Sequence, residues 1–243
     1  MSADLPPFAP TATASPAADP DTFSVPVTQC LRSIFPTPLF VHEWPNSDDL
    51  NQALCDLIFA EEIKKPDGGK QTVGTWYTDH SFINRDQVPI RRLRQRALTL
   101  AQAATKGMMR PGDYRYIIDG WANVLRSGQY NDPHVHRRSV WSGVYYVTGN
   151  PPAVDGAPNP LLSGRIEFLD PRGGAFFADM PEGAMRRRAL LDPPAGTMIL
   201  FPSWLLHMVH PYYGPTPRVV VAFNLNVVPT ERGKGGHAAK LVD

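Results

Sequence analysis

Tyr114–Leu125 reads YRYIIDGWANVL, a run of β-branched and aromatic residues with Pro-Gly upstream and Ser-Gly downstream. Side chains of that shape pack well on a pleated surface, and turn residues on both sides stop the ladder, so the run predicts a strand. The same texture returns at Trp141–Val147 (WSGVYYV), Arg165–Leu169 (RIEFL), Thr197–Phe201 (TMILF) and Arg218–Val228 (RVVVAFNLNVV). No helical pattern separates these runs, which predicts a sandwich or barrel and argues against a parallel α/β sheet. The Pro/Gly-rich stretches Gly149–Gly164 and Pro171–Gly196 then become rim loops, where specificity usually resides.

Upstream the texture differs. Ser33–Trp44 (SIFPTPLFVHEW) is a short strand broken by Pro36 and Pro38, suited to a sheet edge. A helix follows: Asn46 or Ser47 can cap it, Asp48 and Asp49 sit in its first turn, Leu50, Leu54, Leu57 and Ile58 recur at helical spacing, and Pro66-Asp67-Gly68-Gly69 stops it. A second helix is predicted over about Val88–Met108, with Ile90, Leu93, Leu98 and Ala101 on one stripe. Arg91, Arg92, Arg94 and Arg96 fall on the other, read as a solvated face. Residues 1–28, rich in Pro, Ala, Ser, Thr and Asp, bury too little to offset their ordering entropy and read as a disordered arm. Residues 29–230 form one domain in this reading, with a flexible tail over 231–243.

The chain's 243 residues are enough for one substantial core. Lys and Arg number 24 against 23 Asp and Glu, a net charge of +1, so no field gathers nucleic acid or an anionic membrane. The 26 prolines argue against a helical bundle. Cys30 and Cys55 are far apart and outside any CxxC pattern, so neither a disulfide framework nor a zinc finger is indicated. No apolar run reaches membrane-spanning length and no secretory leader is recognisable, which predicts a soluble, cytoplasmic protein. The oligomeric state is left open, a homodimer included.

Four of the seven histidines fall in two clusters, Pro133-His134-Val135-His136 and His207-Met208-Val209-His210-Pro211. Strand residues i and i+2 share a face, so His134 and His136 can point together and reach one ion. His207, flanked by Phe201-Pro202-Ser203-Trp204-Leu205-Leu206 and Val209, is the natural third, because an unpaired imidazole in apolar surroundings is costly. Three imidazoles with open positions suit Fe, Zn, Ni or Cu. His210, three residues on, faces the opposite way, while His42, His80 and His237 stand alone and read as ordinary surface or core imidazoles. Arg218 opens the last strand, where its guanidinium would enter an apolar interior. That is tolerable only if it meets a carboxylate, from an internal Asp or from an acidic co-substrate.

The order HxH, distal His, then Arg resembles that of the iron(II)- and 2-oxoglutarate-dependent oxygenases. Gly128-Gln129-Tyr130-Asn131-Asp132-Pro133-His134 is similar to the approach to the first ligand in prolyl-hydroxylase-like members. The strings WANVLRSGQYNDPHVH, WSGVYYV, GRIEFLDPR, AGTMILFPSWLLHMVHPYYG and RVVVAFN, from Trp121 to about Val227, resemble a poorly characterised bacterial group of these enzymes. The resemblance implies a mainly β fold, a double-stranded β-helix (a cupin-like jelly roll) with at least two buttressing α-helices. It implies Fe(II) on His134, His136 and His207, with 2-oxoglutarate as co-substrate held through Arg218, and O2. It further implies hydroxylation of an unactivated C–H in a small-molecule or peptide substrate, with release of succinate and CO2.

Two departures stand out. His136 occupies the place where most of the superfamily has a carboxylate, so the site either uses three neutral imidazoles or draws a carboxylate from Asp132, Glu167 or Asp170, the last being the chief alternative. Val220 replaces a serine that helps the basic residue grip the co-substrate, and Asn123, Tyr145 or Trp141 could supply that hydrogen bond. A three-histidine, cupin-like dioxygenase needing no 2-oxoglutarate, with Arg218 binding substrate or paired to Asp170, and a non-catalytic metal-binding jelly-roll module remain as alternatives. The substrate itself is not legible. Trp76, Tyr77, Trp141, Phe176, Phe177, Tyr212 and Tyr213 are aromatic candidates for a mouth, and Arg186-Arg187-Arg188 reads as a solvated loop.

Overall fold

A computed structural model describes residues 35–67, 74–172 and 188–230. Every element named below lies within Thr37–Asp243. The predicted arm and tail, Cys30, Phe176, Phe177, Arg186, Arg187 and His237 lie outside the described residues.

Ten strands among the described residues form two antiparallel sheets. In chain order they are β1 (Phe40–Glu43), β2 (Trp76–Tyr77), β3 (Tyr114–Leu125), β4 (Asn131–His134), β5 (Trp141–Tyr146), β6 (Ile166–Leu169), β7 (Arg188–Leu191), β8 (Thr197–Pro202), β9 (His207–Val209) and β10 (Arg218–Pro229). The larger sheet runs β1-β8-β5-β10-β3-β2 and the smaller β4-β9-β6-β7. The mainly β reading holds. β1 occupies an edge, as expected for this segment, but Pro36 and Pro38 lie before it: the strand starts only at Phe40, where every residue again has an N–H to give the ladder.

The larger sheet is buried on both faces. Along β10, Val219, Val221, Phe223 and Leu225 pack into one hydrophobic cluster with Leu50, Leu54 and Ile58 of helix α1 (Asp48–Lys64) and Ile90, Leu93 and Ala97 of helix α2 (Val88–Met108). The alternate residue Val220 packs with Tyr146, Ile166, Phe168, Ile199 and Phe201 in a second cluster between the sheets. This period of two separates a helix-facing core from a barrel interior. At Gly143 a side chain would run into the ring of Phe223 and, at 2.8 Å, into the Ile199 carbonyl, so only glycine lets β5 lie under that ring.

Two expectations change. Ser47 stands at the start of α1, but its hydroxyl donates to the Trp44 carbonyl at 2.7 Å instead of capping a helical N–H. The arginine face of α2 is solvated only at Arg91 and Arg92. Arg94 donates to the Ile83 carbonyl at 3.2 Å. Arg96 donates to Ser47 Oγ at 2.8 Å and Tyr145 Oη at 3.1 Å, bolting α2 to the start of α1 and to β5.

Candidate metal centre and its pocket

His134 ends β4 and His207 begins β9, and the two are directly opposed in the ladder; on its other side His207 faces Phe168 of β6. His136 lies past the end of β4, where its N–H bonds to the Ser203 carbonyl at 2.9 Å. One ligand nitrogen from each of the three histidines lies within 4.8 Å of the other two. The alternation argument for His134 and His136 therefore leads to the observed neighbours, but a backbone tie beyond the strand, and not continued strand, places His136.

The ring nitrogens are sorted by local bonds. His134 Nδ1 donates to the Asp132 carbonyl at 2.6 Å and His207 Nδ1 to the Leu205 carbonyl at 2.8 Å. A carbonyl can only accept, so in each neutral ring the lone pair is on Nε2, the form that binds a metal. Burial, reinforced by the neighbouring imidazoles, pushes the pKa of His136 down to about 4 and that of His207 down to about 3. Both rings are neutral at pH 7. His207 is 4% exposed and is wedged beside Phe201 and Phe168, ring centroids 4.7 and 5.9 Å away, so it has little freedom to turn.

No carboxylate joins the cluster among the described residues. Asp170 is tied to Arg172 at 2.5 Å. Glu167 is paired with Met208, one residue out of phase with His207, and its carboxylate accepts from His210 Nε2 at 2.6 Å, with Arg188 at 3.5 Å. This also accounts for His210, which shares the face opposite to His207. Asp132 is exposed and contributes its backbone carbonyl to orient His134.

A pocket of about 80 Å³ runs between the sheets, and both the three histidines and Arg218 line it, together with Asn123 and Tyr146. Arg218 is 1% exposed. Its Nε donates to Asn150 Oδ1 at 2.8 Å, and its guanidinium carbon lies 5.1 Å from the centre of the Tyr146 ring. Among the described residues no carboxylate forms an ion pair with it, Asp170 included. The Tyr146 hydroxyl is buried beside the Arg218 guanidinium, and burial pushes its pKa up to about 12.

Tyr145 is placed elsewhere. Its side chain belongs to the helix-facing core, where its hydroxyl donates to Asn51 Oδ1 at 2.7 Å. Trp141 does the same, with Nε1 donating to Thr105 Oγ1 at 3.2 Å. The tyrosine in the pocket is Tyr146, which the sequence reading passed over; strand alternation separates the pair but does not say which face of β5 is the interior. Asn150 was missed because a lone Asn in a loop carries no signal. His80, read as solitary, packs against Trp121 with the rings tilted at 36° and their centroids 4.3 Å apart, and Trp121 in turn lies 5.8 Å from His136.

Residues 119–224 match the family model described as "Putative 2OG-Fe(II) oxygenase". The match indicates a 2-oxoglutarate-dependent oxygenase. That segment contains the three histidines, Tyr146, Asn150 and Arg218, and iron(II) and 2-oxoglutarate are the cofactors the family description names. No curated protein matches the chain in sequence. Among solved structures, a prolyl-4-hydroxylase from Pseudomonas putida is similar at 14% identity and TM-score 0.51, over 77% of this chain and 91% of its own. A Trichoplax adhaerens prolyl hydroxylase, solved with a peptide of hypoxia inducible factor, is similar at 10% identity and TM-score 0.52, over 77% and 83%. The epimerase SnoN of nogalamycin biosynthesis is similar at 13% identity and TM-score 0.54, over 77% and 78%. At these identities the likeness shows a shared fold, the double-stranded β-helix of such oxygenases. No helix among the described residues is long and apolar enough to cross a membrane.

Proposed function

We propose that the protein is an oxygenase that holds Fe(II) on His134, His136 and His207, uses 2-oxoglutarate as co-substrate, and hydroxylates an unactivated C–H of a small molecule or peptide. The observation that carries the reading is the shared pocket: three convergent imidazoles, and in the same lining a buried guanidinium that no carboxylate among the described residues meets in an ion pair, with a buried phenol beside it. Buried charges and hydroxyls are normally paired, so this pair is built for an incoming carboxylate. The donor set suits iron, since neutral imidazoles with fixed Nε2 lone pairs leave coordination positions free. With O2, the bound iron and 2-oxoglutarate would supply the oxidant for the C–H bond, releasing succinate and CO2. The chain's own residues would orient and exclude water: Arg218 and Tyr146 grip the far carboxylate, Asn123 offers an amide alongside, and Phe201, Val220 and Ile166 keep the space dry.

The all-imidazole set also favours a second reading, a three-histidine dioxygenase that needs no 2-oxoglutarate. It leaves the metal's full double charge uncompensated by the protein. Succinate formation, measured with and without added iron and 2-oxoglutarate, separates the two. The first reading expects succinate that depends on both additions and disappears in His134→Ala and His207→Ala. Iron-dependent O2 consumption with no succinate would overturn it in favour of the second, and unchanged metal content in both variants would overturn the ligand assignment.

A further inference from the structure

The guanidinium of Arg218 has an unusual keeper. A fully buried arginine is ordinarily met by a carboxylate, which satisfies its donors and cancels its charge. Here Nε is satisfied by the neutral oxygen of Asn150, on the loop after β5. The amide's other end is equally committed: Nδ2 donates to Asp192 Oδ1 at 2.9 Å, while Asp192 Oδ2 takes Arg165 Nε at 3.3 Å. Arginine can only donate and the carboxylate can only accept, so the two partners fix which way the amide points.

The slot for this amide is shaped around it. Gly164 has φ +65°, and a Cβ there would come within 2.8 Å of Asn150 Oδ1 and 2.9 Å of Tyr212. Asp192 is 41% exposed and lines, with Asn150, Thr148 and Thr216, an open cleft behind the site. Among the described residues Asp192 is the carboxylate that acts on the guanidinium, and it does so through an intervening amide and from a position that water screens.

We infer that Asn150, oriented by Asp192, is the positioning residue that holds Arg218 in place without neutralising it, and so makes the pocket selective for a 2-oxo acid with a second carboxylate. The inference rests on the proposed role of Arg218 as co-substrate anchor. An aspartate at 150 would fill the same space and bond the same Nε, but it would lose the donor to Asp192, face that carboxylate, and bring a negative charge to meet the incoming carboxylate.

The test is anaerobic calorimetric titration of the Fe(II)-loaded protein with 2-oxoglutarate and with 2-oxobutyrate, which has the same 2-oxo acid head and no far carboxylate. Asn150→Asp is expected to weaken 2-oxoglutarate binding by about tenfold or more, the scale of one hydrogen bond to a charged group, while leaving 2-oxobutyrate and metal content unchanged. Asp192→Asn, which replaces the charged acceptor of Asn150 Nδ2 by a neutral one and so loosens the amide's hold without adding charge at 150, is expected to weaken 2-oxoglutarate binding by about threefold. Equal weakening of both acids, or wild-type 2-oxoglutarate affinity in Asn150→Asp beside a clear loss in Arg218→Met, would overturn the role of Asn150. Wild-type affinity in Arg218→Met would overturn the anchor itself. Should Asn150→Asp not fold, Asn150→Ser and Asp192→Asn carry the same comparison between the two acids.

Discussion

Tyr145 and Tyr146 are neighbours in sequence and opposites in use. Tyr145 spends its hydroxyl on Asn51 and Arg96, whereas Tyr146 turns its own into the pocket beside Arg218. Removing each hydroxyl therefore separates stability from co-substrate binding. Tyr145→Phe should cost about 1–2 kcal/mol in chemical denaturation, since it orphans buried partners, and should leave the KM for 2-oxoglutarate unaltered. Tyr146→Phe should leave stability intact or improve it, and should raise that KM by about three- to tenfold. The histidines make a second prediction. His136 and His207 have pKa values of about 4 and about 3, below the ordinary histidine value of about 6.5. Between those limits the unfolded chain binds protons that the folded chain refuses, so falling pH favours unfolding. The metal-free protein is thus expected to lose melting temperature from pH 7 down to 5, with a shallower loss in His207→Leu; parallel curves for the two proteins would contradict it.

Among the elements, the long ones were legible, β1 and β6 were found with looser bounds, and other short ones were not seen. β3 and α2 coincide with their predicted bounds, because each carries a sustained pattern of one period. β4, β7 and β9 have no more than four residues each, too few for any period to show, and β7 lies within a stretch read wholly as loop. They form through pairing: β9 is held between β4 and β6, and that placement sets His207 opposite His134. α2 owes its docking to more than its apolar stripe. Arg96→Met keeps the length of the side chain but removes donors to Ser47 and Tyr145, and should cost about 1–3 kcal/mol in urea denaturation with metal content unchanged.

At the scale of the molecule, the two sheets close on one pocket, and its ligands come from distant parts of the chain. Binding at such a site links the sheets, so ligand and fold stabilise one another. Iron and 2-oxoglutarate at about a hundred times their dissociation constants should each add roughly 2.7 kcal/mol, read as a rise in melting temperature that a chelator reverses. No rise with either would argue against the proposed cofactors.

The sequence by itself determined the β-rich class, the two helices, the histidine trio as candidate ligands and the isolated arginine, because each is carried by local periodicity or by a residue too costly to leave unpaired in an apolar run. Only the tertiary structure decided that His136 is held by a backbone bond beyond the strand, that Tyr146 and not Tyr145 faces the pocket, that Glu167 and Asp170 are committed elsewhere, and that Asn150 keeps Arg218. Which face of a strand lies inside, and which loop atom meets a buried charge, depend on how segments far apart in the chain pack together, and local pattern carries no record of that.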